Sequence, residues 1–134
     1  MRYRFGTIVL VVTTLFFLLT ALSSGLAPGR FAGRIGFTIA NSGGYNEIMA
    51  QYTGFFLTAA LACATSLFGV ISRRAALILV TVVFGGLLGG RLVSLALNGG
   101  FAGYGPDIRA LYLIDAMGLT LALAALALDR QVKV

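Results

Sequence analysis

Ionisable side chains are scarce in this sequence, and three of them, Glu47, Arg91 and Asp115, stand within or at the edge of long apolar stretches. A charge in such a stretch is costly in hydrocarbon and usually turns inward, toward an opposite charge or a polar cavity. Each has companions at helical spacing. Glu47, Gln51, Gly54 and Thr58 recur at steps of four, three and four; Arg91, Ser94 and Asn98 form a second stripe, and Tyr112, Asp115 and Leu119 a third. Two carboxylates and a guanidinium can seat the polar head of a ligand or register helices against one another. Acid–base catalysis suits them less, because a nearby arginine holds a carboxylate ionised and unable to donate a proton.

Other chemistries are excluded by composition. The 134 residues contain no His, no Trp and one cysteine, Cys63, which leaves no Ser–His pair, bis-His haem, His-based zinc site or CxxC redox motif. No cofactor or metal is expected. Hydrophobic residues make up 59% and charged residues 10%, against roughly 45–50% and about 25% in an ordinary soluble domain. A water-soluble enzyme, a disordered segment and a disulfide-stapled module do not have this composition. The net charge of +6 does not point to nucleic acid, because the basic residues are scattered at the flanks of apolar runs and form no polar face.

The elements that must position these residues are membrane spans. About 20 apolar residues cross a hydrocarbon core of roughly 30 Å, and four such runs occur, at about 6–26, 48–71, 75–97 and 109–128. They are too long and continuous for barrel strands, so the expected fold is all-α: an integral membrane four-helix bundle in one domain, 1–134. Arg2 and Arg4 ahead of a run ending near Ala21, Ser23 and Ser24 also fit a cleavable signal peptide; we read the segment as a retained span. Arg2, Arg4, Arg73, Arg74, Arg130 and Lys133 fall on one side of four alternating helices, against Arg30 and Arg34 on the other, which places both termini in the cytoplasm.

The connections are unequal. Residues 72–74 read as a tight turn that makes the second and third helices antiparallel neighbours, whereas 27–46 reads as a long, glycine-rich outer loop lying in the interface. The second outer connection pairs the turn formers Gly99, Gly100, Gly103 and Gly105 with Phe101 and Tyr104. Pro106 and Asp107 suit the first turn of the fourth helix. Arg109 is read as an interfacial anchor, or a partner of Asp107.

Arg91 lies six residues before Leu97 and Asp115 six after Arg109, so both sit about 9 Å below the outer ends of their helices. The expected centre is therefore Glu47, Arg91 and Asp115, with Gln51, Asn46, Tyr112 and Ser94 as polar neighbours. Two plainer readings stand beside it: an Arg91–Asp115 bridge that only registers two helices, and Arg91 snorkelling alone to headgroups. Helix packing in lipid rests on close contact, for which Gly54 and the overlapping pairs Gly85/Gly89 and Gly86/Gly90 are the candidates.

The stretch Tyr45-Asn46-Glu47-Ile48-Met49-Ala50-Gln51 and the stretch Gly89-Gly90-Arg91-Leu92-Val93-Ser94 give the chain a likeness to a known family. It resembles the bacterial four-helix membrane proteins called domain of unknown function 4345, and more loosely DoxX-like proteins. Asn46, Glu47, Ala50, Arg91 and Ser94 match that pattern, and Asp115 stands where the family has Glu. The resemblance implies a bacterial inner-membrane bundle with the charge cluster as a family feature, and names no substrate. The function expected is a non-catalytic membrane protein, either an accessory subunit of a larger complex or a binder of a lipid or hydrophobic small molecule. The alternative is a small transporter or membrane enzyme using Glu47, Arg91 and Asp115.

Overall fold

The computed structural model describes residues 2–101, 104 and 106–130. Gly103, Gly105 and Lys133, which carried expectations about turns and orientation, lie outside the described residues. Helices α1 (Arg2–Leu26), α2 (Pro28–Arg34), α3 (Ser42–Ile48), α4 (Phe55–Leu67), α5 (Arg73–Leu97) and α6 (Pro106–Arg130) follow in order, with no strand among the described residues. A π-helical segment, Met49–Gly54, joins α3 to α4, so Ser42–Leu67 is one rod. This rod, α1, α5 and α6 are each long and apolar enough to cross a membrane.

Local chemistry moves several expected boundaries. The second span begins at Ser42 because Asn41 caps it, its Oδ1 accepting from the Gly44 N–H at 3.0 Å. The loop expected over 27–46 therefore shrinks, and Pro28 starts a further short helix inside it. The same span ends at Leu67 rather than 71, since Gly69 at φ 78° turns the chain out of the helix. Ser72 then caps α5 by accepting from Ala75 N at 3.1 Å, which puts Arg73 and Arg74 in the first turn of a helix instead of in a turn.

The four long helices form a ring in which α1 packs on α4 and α6, and α5 packs on α6. The remaining edge, between the antiparallel neighbours α4 and α5, is looser. Phe17 of α1 fills the centre at 0% exposure, its ring 5.4 Å from Phe56 and 5.5 Å from Phe84. Close contact comes where a ring meets a glycine: a Cβ at Gly118 would stand 2.6 Å from Phe84. Several hydroxyls of the long helices are satisfied on their own helices, as when Thr14 donates to Leu10 O at 2.7 Å and Thr81 to Leu77 O at 2.9 Å.

Both ends of the described chain lie at the same end of the ring as residues 68–72; we call it the proximal end. The distal end carries α2, the start of α3, residues 98–101 and Tyr104.

Candidate functional site

Near the distal end, Arg91 of α5 meets Asp115 of α6, Nε donating to Oδ2 at 2.6 Å. The carboxylate is 1% exposed, while the arginine keeps about a quarter of its side chain accessible (24%). One turn before Asp115, Tyr112 donates its hydroxyl to the Arg91 carbonyl at 2.8 Å, tying the backbones of α5 and α6 at the same level. One turn beyond Arg91, Ser94 lies 3.2 Å from the Tyr104 hydroxyl, and the Asn98 amide donates to both, at 3.2 Å and 3.4 Å.

Residues 98–101 and Tyr104 lie against this group. Gly99 at φ 71° and Gly100 at φ 133° allow the reversal, which a side chain at either position would strain. It brings the Phe101 ring edge-on to Tyr112, centroids 5.3 Å apart, and to Tyr104 at 5.9 Å. The hydrogen bonds from Ser94 and Asn98 favour the phenolate of Tyr104 and hold its pKa below the usual value of 10. Rings and hydroxyls thus cluster one turn along from the ion pair, tied to it through the Arg91 backbone.

The other residues expected here are elsewhere. Glu47, Asn46 and Gln51 are all exposed, and Glu47 forms no ion pair among the described residues. The reason is the π segment. Within it the Phe55 N–H donates to the carbonyl of Ala50, five residues back, so the 3.6-residue step breaks, and Gly54 and Thr58 leave the face that Glu47 and Gln51 share. The segment is held against α1, where Thr53 Oγ1 lies 2.9 Å from Ser24 Oγ and a Cβ at Gly25 would come within 2.9 Å of Thr53.

Glu47 and Gln51 instead line a cavity of about 700 Å³ at the loose edge between the Ser42–Leu67 rod and α5. Thr38 and Tyr52 also line it, and Phe55, Val82 and Leu87 form apolar walls. Glu47 is the one charged side chain on the wall among the described residues; Arg91 is not part of it.

The glycines of α5 do not pack as expected. A Cβ at Gly86, Gly89 or Gly90 would meet nothing within 4 Å, and one at Gly85 would meet only the tip of Leu119 at 3.7 Å. Phe84, seated on Gly118, provides the close α5–α6 contact instead. Gly86 borders the cavity, and Gly54 lies in the π segment with its own helix's Met49 carbonyl as nearest neighbour, at 3.5 Å.

Two ion pairs had no counterpart in the sequence reading. Arg73 pairs with Asp129 at the proximal end, both largely buried, and the Arg73 side chain passes 3.5 Å from where a Cβ on Gly6 would stand. Asp107 pairs with Arg34 at 3.5 Å, both exposed, and not with Arg109. A clue to the first was present: if antiparallel helices meet at Arg91 and Asp115, residues four to five turns back along one and onward along the other must also come near one another. Among the described residues no three His, Cys, Asp or Glu side chains are grouped as metal ligands would be. No family model, curated protein or solved structure matches this chain.

Proposed function

We propose that the chain is a non-catalytic bacterial inner-membrane protein, both termini cytoplasmic, that binds an amphipathic small molecule or lipid in the cavity between the Ser42–Leu67 rod and α5. The observation that carries this reading is the placement of Glu47. A carboxylate without an ionic partner among the described residues stands at the distal mouth of an apolar cavity. From Glu47 to Phe56 is nine residues, about 13.5 Å along a helix, close to half of a roughly 30 Å hydrocarbon core. A ligand with a hydrogen-bond-donating or cationic head at Glu47 and Gln51 and a tail of one leaflet's depth fits this shape.

On this reading the Arg91–Asp115 pair is a registering element, not the ligand's seat, and the resemblance to the domain of unknown function 4345 family rests on residues with two different tasks. Asn46, Glu47 and Ala50 belong to the cavity's rod, whereas Arg91 and Ser94 belong to the capped ion pair. The cytoplasmic placement of the termini is supported by Arg4, Arg73 and Arg74 near the proximal end.

The test is native mass spectrometry of the chain purified in mild detergent. The reading expects a retained non-protein mass that is lost in Gly86→Leu, a substitution that adds a bulky side chain to the cavity wall. A bare chain, or an adduct unchanged in Gly86→Leu, removes the proposal. A second reading, an accessory subunit of a larger complex, is favoured by Gly89 and Gly90, whose open face admits a partner helix.

A further inference from the structure

A second groove lies at the distal end, away from the α4–α5 edge, between α1, α2 and α6. Its volume is about 630 Å³. Its rim carries Arg30 and Arg34, four residues apart on the short helix α2, with Asp107 of α6 opposite. Below the rim the walls are uncharged and mostly apolar, formed by Phe16, Leu19, Leu26, Leu111 and Ile114, with Thr20 and Ser23 the hydroxyls among them.

Three features define what fits. The groove runs along α1 from Leu26 to Phe16, ten residues or about 15 Å, which is one leaflet of a roughly 30 Å core. Its charge is confined to one end, at the level where the span ends. That charge is net positive: Arg30 forms no ion pair among the described residues, and the Arg34–Asp107 contact is exposed on both sides (73% and 52%), the kind of pair that contributes little and yields readily to a stronger anion.

We propose that this groove seats one anionic phospholipid, its phosphate between Arg30 and Arg34 and an acyl chain along α1 and α6 down to Phe16. A zwitterionic lipid would bury the same tail and offer the same phosphate, but its own headgroup cation would be brought to a rim that is already net positive. Free phosphate would meet the rim and leave the apolar walls unused. The Glu47 cavity, with a carboxylate at its polar end, selects the opposite sign of headgroup, so the two sites are separable by charge.

The experiment is a native mass spectrometric titration of the full chain with phosphatidylglycerol and with phosphatidylcholine of the same acyl chains. Wild type is expected to retain one phosphatidylglycerol in preference to phosphatidylcholine. Arg30→Gln is expected to weaken that binding by about fivefold, the effect of one interfacial cation, and Asp107→Asn to strengthen it by a similar factor. Phosphatidylcholine binding should change less than phosphatidylglycerol binding in both, and millimolar inorganic phosphate should not displace the lipid. Equal retention of the two lipids, no response to Arg30→Gln, weaker binding in Asp107→Asn, or displacement by phosphate alone would each overturn the proposal. Because Asp107→Asn is a gain, a variant that merely misfolds cannot imitate the expected result.

Discussion

Arg91 and Asp115 join α5 to α6 through a 2.6 Å Nε–Oδ2 hydrogen bond, with the carboxylate sealed from solvent and the guanidinium only partly so. Charges so placed are worth most when removed singly, since the survivor is left without a partner in a poor solvent for it. Asp115→Leu alone should cost about 3 kcal/mol of stability, whereas Asp115→Leu with Arg91→Met should recover most of that loss. Thermal unfolding of the single and double variants in the same detergent measures the difference. Equal losses in both would mean that the pair is no unit.

The pair Arg73–Asp129 brackets the other end of the same two helices. Arg73 and Arg91 are 18 residues apart on α5, and Asp115 and Asp129 are 14 apart on α6; at about 1.5 Å per residue the spacings are about 27 and 21 Å, a mismatch that long arginine side chains absorb. The two bonds together fix the register of α5 on α6. Exchanging the charges, Arg73→Asp with Asp129→Arg, should restore much of the stability that either substitution removes. A double variant no better than the worse single one would show that the contact is not what matters there.

Glycines on facing helices should respond in opposite senses. Gly118→Ala drives a methyl into the Phe84 ring and should destabilise by about 1–3 kcal/mol. Gly89→Ala meets open space in a helix interior and should be neutral or stabilising, by up to about 1 kcal/mol. Unfolding midpoints of the two variants decide it. A severe loss in Gly89→Ala would indicate that a second molecule covers that face.

Tyr104 gives a pH readout outside the spans. Its phenolate is favoured by hydrogen bonds from Ser94 and Asn98, so its folded pKa lies below the unfolded value of about 10. The contribution to stability is therefore absent at neutral pH and appears as pH rises through the lowered folded value. Ultraviolet titration should show one tyrosine ionising early, and Ser94→Ala should return it toward the ordinary range. An unaltered titration in Ser94→Ala would contradict the bonding described.

The extent to which this structure was legible in the sequence follows from how far each inference had to reach. Four helices long and apolar enough to cross a membrane could be read because an apolar run of that length has few other uses. Arg91 and Asp115 could be matched because depth along two regular helices is simple arithmetic. Glu47 could not be placed, because its stripe assumed a constant 3.6-residue turn and the Met49–Gly54 segment departs from it. Nor could Arg73, since an arginine at a span's end looks the same whether it faces water or the Asp129 carboxylate. The Gly85–Gly90 pattern misled for a related reason: the spacing identifies a smooth face, and only the position of Phe84 decides whether a neighbouring helix uses it.

The most direct test of the central claim is photoaffinity labelling in nanodiscs with a diazirine-bearing alkylamine, mapped by peptide mass spectrometry on wild type and Glu47→Gln. The account predicts labels concentrated on Phe55, Val82 and Leu87, and a drop of about tenfold in Glu47→Gln, equivalent to about 1.4 kcal/mol. Labels spread evenly over every lipid-facing helix, with the same yield in Glu47→Gln, would contradict it.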